Sequence, residues 1–339
     1  MPSFESYQLL VPELWKQAEE WQEALEEADG ADKRCVLIQL RAVNLLKPLK
    51  TEPATPERLA WMTLWTRAFV LLDGVRGVLS RNAAFTTDVL ARVAFETALH
   101  TQAILEPVTA LHELERHGPG RTLVTDRARQ DTWQDVVARM RAYTAWCLWS
   151  DLRYCDEVTD SRTQDGIWDP QPARGIASNP EALKAFEAYY GPLDLRDEHE
   201  LERDQQQQLA GLAQKRERIA SWLSDKRLQE WVTKLRNLQA GEPNARSFLA
   251  LLFGEQSTIA RRLGMMQQRF AYFRYLRGSL LIHGSTLDEM LMLGQGVIAP
   301  AIRSDDEEAN RAAYDVASSC NLIVLVLFLT QKHIWPVEP

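Results

Sequence analysis

Apolar residues recur along this chain at three- and four-residue intervals almost throughout, and sustained two-residue alternation is absent. That period lines one face of successive α-helices, where strands would alternate between two faces. It predicts helices over about 13–28, 32–46, 56–80, 86–106, 126–156, 180–190, 197–224, 226–240, 245–253, 255–283 and 305–333. Thr55-Pro56-Glu57 supplies an N-cap, a proline at the first helical position and an acid in the first turn. Ser178-Asn179-Pro180-Glu181 repeats that grammar. Stop signals stand at Gly30, Pro48, Pro107, Gly191-Pro192, and Gly241 with Pro243. Gly74, Gly77, Gly211 and Gly264 fall inside helical runs, where each costs about 1 kcal/mol relative to alanine on an exposed surface. The expected fold class is all-α, a multi-helix bundle with almost no sheet.

The polar stretches divide the chain. Thr159 to Pro180 has Gly166, Pro170, Pro172 and Gly175 and no apolar period, so it reads as a loop. Between Arg196 and Arg236, 17 of 41 residues are charged with both signs interspersed, the composition of a solvated helical hairpin. The expected organisation is therefore an N-terminal helical part, 1–159, a loop and charged helical insertion, 160–243, and C-terminal helices, 244–339, that complete the bundle.

Composition narrows the setting. Hydrophobic content of 45% and charged content of 25% are ordinary for a soluble globular protein. The net charge of −8 argues against a general nucleic-acid coat, although a local basic patch can still meet a phosphate backbone. Met1 to Leu10 lacks the basic and apolar regions of a secretory signal. The strongest membrane candidate, Leu322 to Leu329, is far short of the roughly 20 apolar residues that span a bilayer, so it reads as a buried terminal helix. Cys35, Cys147, Cys155 and Cys320 show no metal-ligand spacing and read as reduced thiols in a cytoplasmic protein.

Two constellations carry candidate chemistry. Asp88, Arg92, Glu96 and His100 are four apart and form one helical stripe beside apolar neighbours. An Arg92–Glu96 pair there would orient a histidine or hold an anion, and the weightier alternative is a structural ion pair between helices. The second lies in Gln256 to Leu287, a run with five arginines and no acid. Within it, Ser279 and His283 are four apart with Tyr275 nearby, and Arg277 reaches the same site through its long side chain or a bend at Gly278. His283-Gly284-Ser285 places the histidine in a last helical turn, where the dipole favours its protonated form. An equally weighted alternative is a histidine capping backbone carbonyls. His112 and His117 are five apart and miss the i,i+3 or i,i+4 spacing of a helical metal pair. HExxH, P-loop, GxGxxG and GxSxG patterns are absent, so no metal or other cofactor is expected.

Arg92-x-x-x-Glu96, followed by Gly264, Tyr272-Phe273-Arg274-Tyr275 and Ser279-x-x-x-His283-Gly284-Ser285, resembles an uncharacterised all-helical family of bacterial proteins. The resemblance covers about Leu59 to Leu329, with the charged arm interrupting it, and implies a helical bundle without a settled activity. Arg277 with His283, five residues intervening, is also similar to the signature of HEPN domains, helical modules of bacterial toxin and phage-defence systems. That similarity implies a metal-independent endoribonuclease that works when two copies face each other. Gly278 departs from the pattern, standing where Asn or another polar residue is usual.

The expected function is accordingly a HEPN-like endoribonuclease of a defence or toxin–antitoxin system, cytoplasmic and homodimeric. His283 is its general acid/base, Arg277 and Arg274 hold the scissile phosphate, Ser279 or Tyr275 orients the histidine, and Arg92 and Glu96 support the site. RNA would lie along 256–287. The rival expectation is a non-catalytic helical sensor or scaffold that meets a protein partner through 196–236.

Overall fold

The computed structural model describes residues 25, 28, 30–47, 49, 54–79, 84–117, 125–164, 178–190, 198–241, 248–254, 291–294, 297–300 and 306–335. These residues form helices α1 (Gly30–Leu46), α2 (Pro56–Leu79), α3 (Ala84–His117), α4 (Asp126–Gln164), α5 (Pro180–Tyr190), α6 (Glu198–Leu223), α7 (Gln229–Gly241), α8 (Phe248–Phe253) and α9 (Asp306–Ile334). A two-stranded antiparallel hairpin, β1 (Leu291–Gly294) and β2 (Val297–Pro300), pairs Leu291 with Pro300 and Gly294 with Val297. Among the described residues the fold is all-α apart from this hairpin, which the helical period gave no reason to expect. The chain divides into two compact units, one of Ala145–Val232 and a larger one of Phe4–Thr144 with Thr233–Pro339.

The larger unit is organised around α9, which packs most extensively on α3 and then on α2 and α1. Its inner face presents Ala312, Ala313, Val316, Ala317, Cys320, Ile323 and Leu327, all buried. Polar groups fix the register. Trp61 Nε1 donates to Leu327 O (3.0 Å), and Gln331 Nε2 donates to Leu45 O (2.8 Å). Arg58 Nε donates to Ile334 O (3.2 Å). The last two bonds satisfy carbonyls in the final turns of α1 and α9, which have no partner within their own helices. Trp335 meets Trp61 edge to face at 4.8 Å, closing this end of the core.

By length and composition α9 is, among the described residues, the one helix able to cross a membrane, and half of its apolar window is buried in the protein. The apolar stretch is longer than Leu322–Leu329 suggests, because the alanines and valine between Ala309 and Ala317 extend it. Leu325, Phe328 and Leu329 lie on its exposed side.

The caps follow the sequence. Thr55 Oγ1 accepts from Arg58 N at the start of α2, and Asn179 Oδ1 accepts from Glu181 N (3.1 Å) and Ala182 N (3.2 Å) at the start of α5. A Cβ at Gly74 would stand 3.5 Å from Leu90 on α3, an ordinary van der Waals contact, so the neighbouring helix leaves room for a side chain there. Gly30 opens α1 with φ of 47°, a conformation that suits glycine.

One expected stop and one expected loop boundary are overridden. α3 continues through Pro107 to His117. A proline inside a helix leaves the carbonyl four residues earlier without its amide donor, here Ala103 O. Arg139 of α4 supplies the missing donor: its Nη1 bonds Ala103 O and also Glu106 Oε2 (2.9 Å). A contact distant in sequence thus repairs a local break. Likewise α4 runs past Thr159 to Gln164, with the Thr159 hydroxyl donating to Cys155 O (2.7 Å).

In the smaller unit Cys155, Ile219, Leu223, Leu228 and Val232 are buried. Arg216 Nε bonds Asp156 Oδ1 (2.6 Å), and Gln229 Nε2 caps Leu223 O (2.9 Å) across the turn between α6 and α7. The expected helix over 255–283 lies outside the described residues.

Arg139→Met should remove the donor from Ala103 O while keeping the aliphatic stem. An unsatisfied, largely buried acceptor costs about 1–3 kcal/mol, so urea unfolding should show a loss of that size. A midpoint unchanged from wild type would mean that water replaces the arginine.

Candidate functional site

His283, Arg277, Ser279, Arg274 and Tyr275 all lie outside the described residues, as does the acid-free run 256–287. Arg92 and Glu96 are on α3, both half-buried, and no ion pair joins them among the described residues. The expectation that this stripe lies near the core holds at its ends, where Asp88 and His100 are buried.

His100 is the centre of the best-defined cluster of polar and aromatic groups. α3 places it beside Tyr143 of α4 (6.1 Å between ring centroids) and Phe248 of α8 (5.3 Å, edge to face). Tyr143 and Phe248 are themselves edge to face at 5.1 Å. Arg67 of α2 reaches the cluster from outside, donating from Nη1 to Tyr143 Oη at 2.7 Å. Four helices therefore converge on one imidazole. The sequence explains the convergence: Phe248 begins the apolar α8, and Met140, Tyr143 and Thr144 form the inward stripe of α4.

Burial, and secondarily the positive charge of Arg67, lower the His100 pKa from 6.5 to about 3. The ring is neutral at physiological pH. A general acid or base works best with a pKa near the operating pH, so His100 is poorly matched to proton transfer and well matched to core packing.

The other titratable groups point the same way. His333 stacks on Trp133 at 3.8 Å, and burial, with Lys332 adding to it, lowers its pKa. Burial pushes the Cys35 thiol up to about 12 and raises Cys320 as well, so neither is a nucleophile at neutral pH. His112 faces Glu115 at 3.8 Å on an exposed surface. No group of three or more His, Cys, Asp or Glu able to hold a metal ion occurs among the described residues.

Comparison with protein-family models, with curated proteins and with solved structures finds no match to this chain. The site must be argued from its own chemistry. Sequence reasoning picked out His100 through its four-residue spacing but missed Arg67, Tyr143 and Phe248. Their only sequence signal is membership of apolar helical stripes, which nearly every core residue here shares.

The His100 environment makes stability depend on pH. Its folded pKa is depressed, so on acidification the unfolded chain takes up the proton first, near pH 6.5. The contribution is complete above that pH, falls by up to about 1.4 kcal/mol per pH unit below it, and levels off near the folded value. His100→Phe keeps a ring in the cluster and should flatten unfolding free energy against pH between about 6 and 4 relative to wild type. Identical slopes for the two proteins would show that His100 is solvated.

Proposed function

We propose that this chain is a non-catalytic helical scaffold or sensor of the cytoplasm, which engages a protein partner through the arm formed by α6 and α7. The observation that carries this reading is the burial pattern of α6. Of its described side chains from Arg203 to Arg218 none is buried, whereas Ile219 and Leu223 in the last turns are. Leu209 and Leu212 continue the same stripe and are only half-covered. The helix is thus longer than its own unit needs for a core. Its outer face carries Arg203, Glu217 and Arg218, a mixed-charge surface suited to a partner of complementary mixed charge. The buried free thiols Cys35 and Cys320 suit a reducing cytoplasm.

A second reading is favoured by the sequence of 256–287, which gathers five arginines without an acid. In it the protein is a HEPN-like, metal-independent endoribonuclease of bacterial phage defence or a toxin–antitoxin pair, active as a homodimer. His283 transfers protons, Arg277 and Arg274 hold the phosphate, and Ser279 or Tyr275 orients His283. Arg92 and Glu96 support the site from α3.

Purified wild-type protein incubated with a mixed RNA pool, in EDTA and then in magnesium, separates the two. The scaffold reading predicts intact RNA in both. It also predicts that deleting Arg196–Arg236 behind a short Gly/Ser linker leaves a helical protein that no longer binds, in a purified and salt-titrated assay, the partner held by wild type. Cleavage in EDTA that His283→Ala abolishes would overturn it in favour of the nuclease, because losing a general acid/base typically slows a reaction 10²–10⁴-fold.

A further inference from the structure

Three half-buried arginines of the larger unit are paired with acids. Arg76 on α2 meets Asp32 at 2.7 Å, Arg139 on α4 meets Glu106 at 2.9 Å, and Arg141 on α4 meets Glu57 at 3.2 Å. Arg67 differs. It is half-buried, its Nη1 donates to the hydroxyl of Tyr143 at 2.7 Å, and no carboxylate among the described residues pairs with it. Its guanidinium carbon stands 5.7 Å from the centre of the Tyr143 ring.

A partly desolvated cation without a counter-charge is unfavourable, and the other three arginines show how this bundle relieves that cost. Tyr143 is fully buried and carried on a rigid helix, so its hydroxyl fixes the position of one guanidinium nitrogen. One N–H of five is used there. The remaining donors keep the planar fork that matches two oxygens of a carboxylate or phosphate. Thr66 and Val70, the exposed neighbours of Arg67 on α2, bring no negative charge to the approach.

We propose that Arg67, positioned by Tyr143, binds a small oxyanion, a carboxylate or a phosphate, at the surface of the α2–α4 seam. The anion would supply the counter-charge that Asp32, Glu106 and Glu57 supply elsewhere. This inference is independent of both functional readings. Binding also couples to the core: Arg67 is the second cause holding His100 neutral, and neutralising it would shift that imidazole upward.

The test is calorimetric titration of the intact protein with inorganic phosphate and with acetate, against chloride at equal ionic strength. Saturable binding of phosphate alone identifies a phosphate site, and binding of both identifies a general oxyanion site. Either result requires that Arg67→Met weaken it at least tenfold, with Arg67→Lys intermediate because it keeps charge and loses the fork. Tyr143→Phe should weaken it several-fold and serves if Arg67→Met does not fold. In the wild type, nuclear magnetic resonance should show the His100 pKa rising as the anion saturates. No preference for either oxyanion over chloride in the wild type, or equal affinity in Arg67→Met, would overturn the proposal.

Discussion

Burial of one face of α9 against α1, α2 and α3 is the constraint on which the larger unit depends. A helix that presents Val316, Cys320, Ile323 and Leu327 inward cannot stay in water by itself, and three other helices leave apolar stripes that match it. Each fully buried aliphatic or aromatic side chain contributes about 1.5–3 kcal/mol, and such side chains far outnumber the interhelical polar contacts described above. Long-range pairing is the consequence. α9 is separated from α1 by most of the chain, so the core cannot close until the C-terminal helix has docked.

Polar groups then select one arrangement among those that hydrophobic burial alone would allow. Trp61, Gln331 and Arg58 each find a main-chain oxygen on a neighbouring helix, and each such bond is lost if a helix slides by one residue. The Arg139 contact does more, because it lets α3 pass through Pro107 without an unsatisfied carbonyl. The same helix α4 carries Tyr143, so the repair of α3 and the setting of Arg67 share a scaffold. The Arg67 anion site is our proposal; the geometry around it is fixed by these packing contacts.

Much of this was legible in the amino-acid order, and the failures have physical causes. The period of apolar residues identifies the helices, and Thr55 and Asn179 mark their starts because short side chains reach the free amides. Pro107 misleads because local rules cannot include a donor from Arg139, 32 residues later in sequence. Thr159 misleads because a hydroxyl that bonds its own helix tolerates an otherwise unfavourable position. The hairpin at 291–300 was missed because four-residue strands are too short to show a two-residue period. At the candidate site, spacing finds His100 but not Arg67, whose significance lies in its bond to Tyr143 with no carboxylate beside it among the described residues, a property of three-dimensional neighbours.

The chemistry of the described bundle is that of a structural core: a neutral histidine among rings, raised thiols, and three half-buried arginines paired with acids. Its central claim is that α9 is integral to that core and not an appended segment. Native-state hydrogen exchange tests this most directly. The inner amides of α9 around Cys320, Ile323 and Leu327 should exchange only through global unfolding, with the same free energy as those of α2 around Leu64 and Ala68. Exchange of α9 through a lower-energy opening, while α2 and α3 stay protected, would contradict the account.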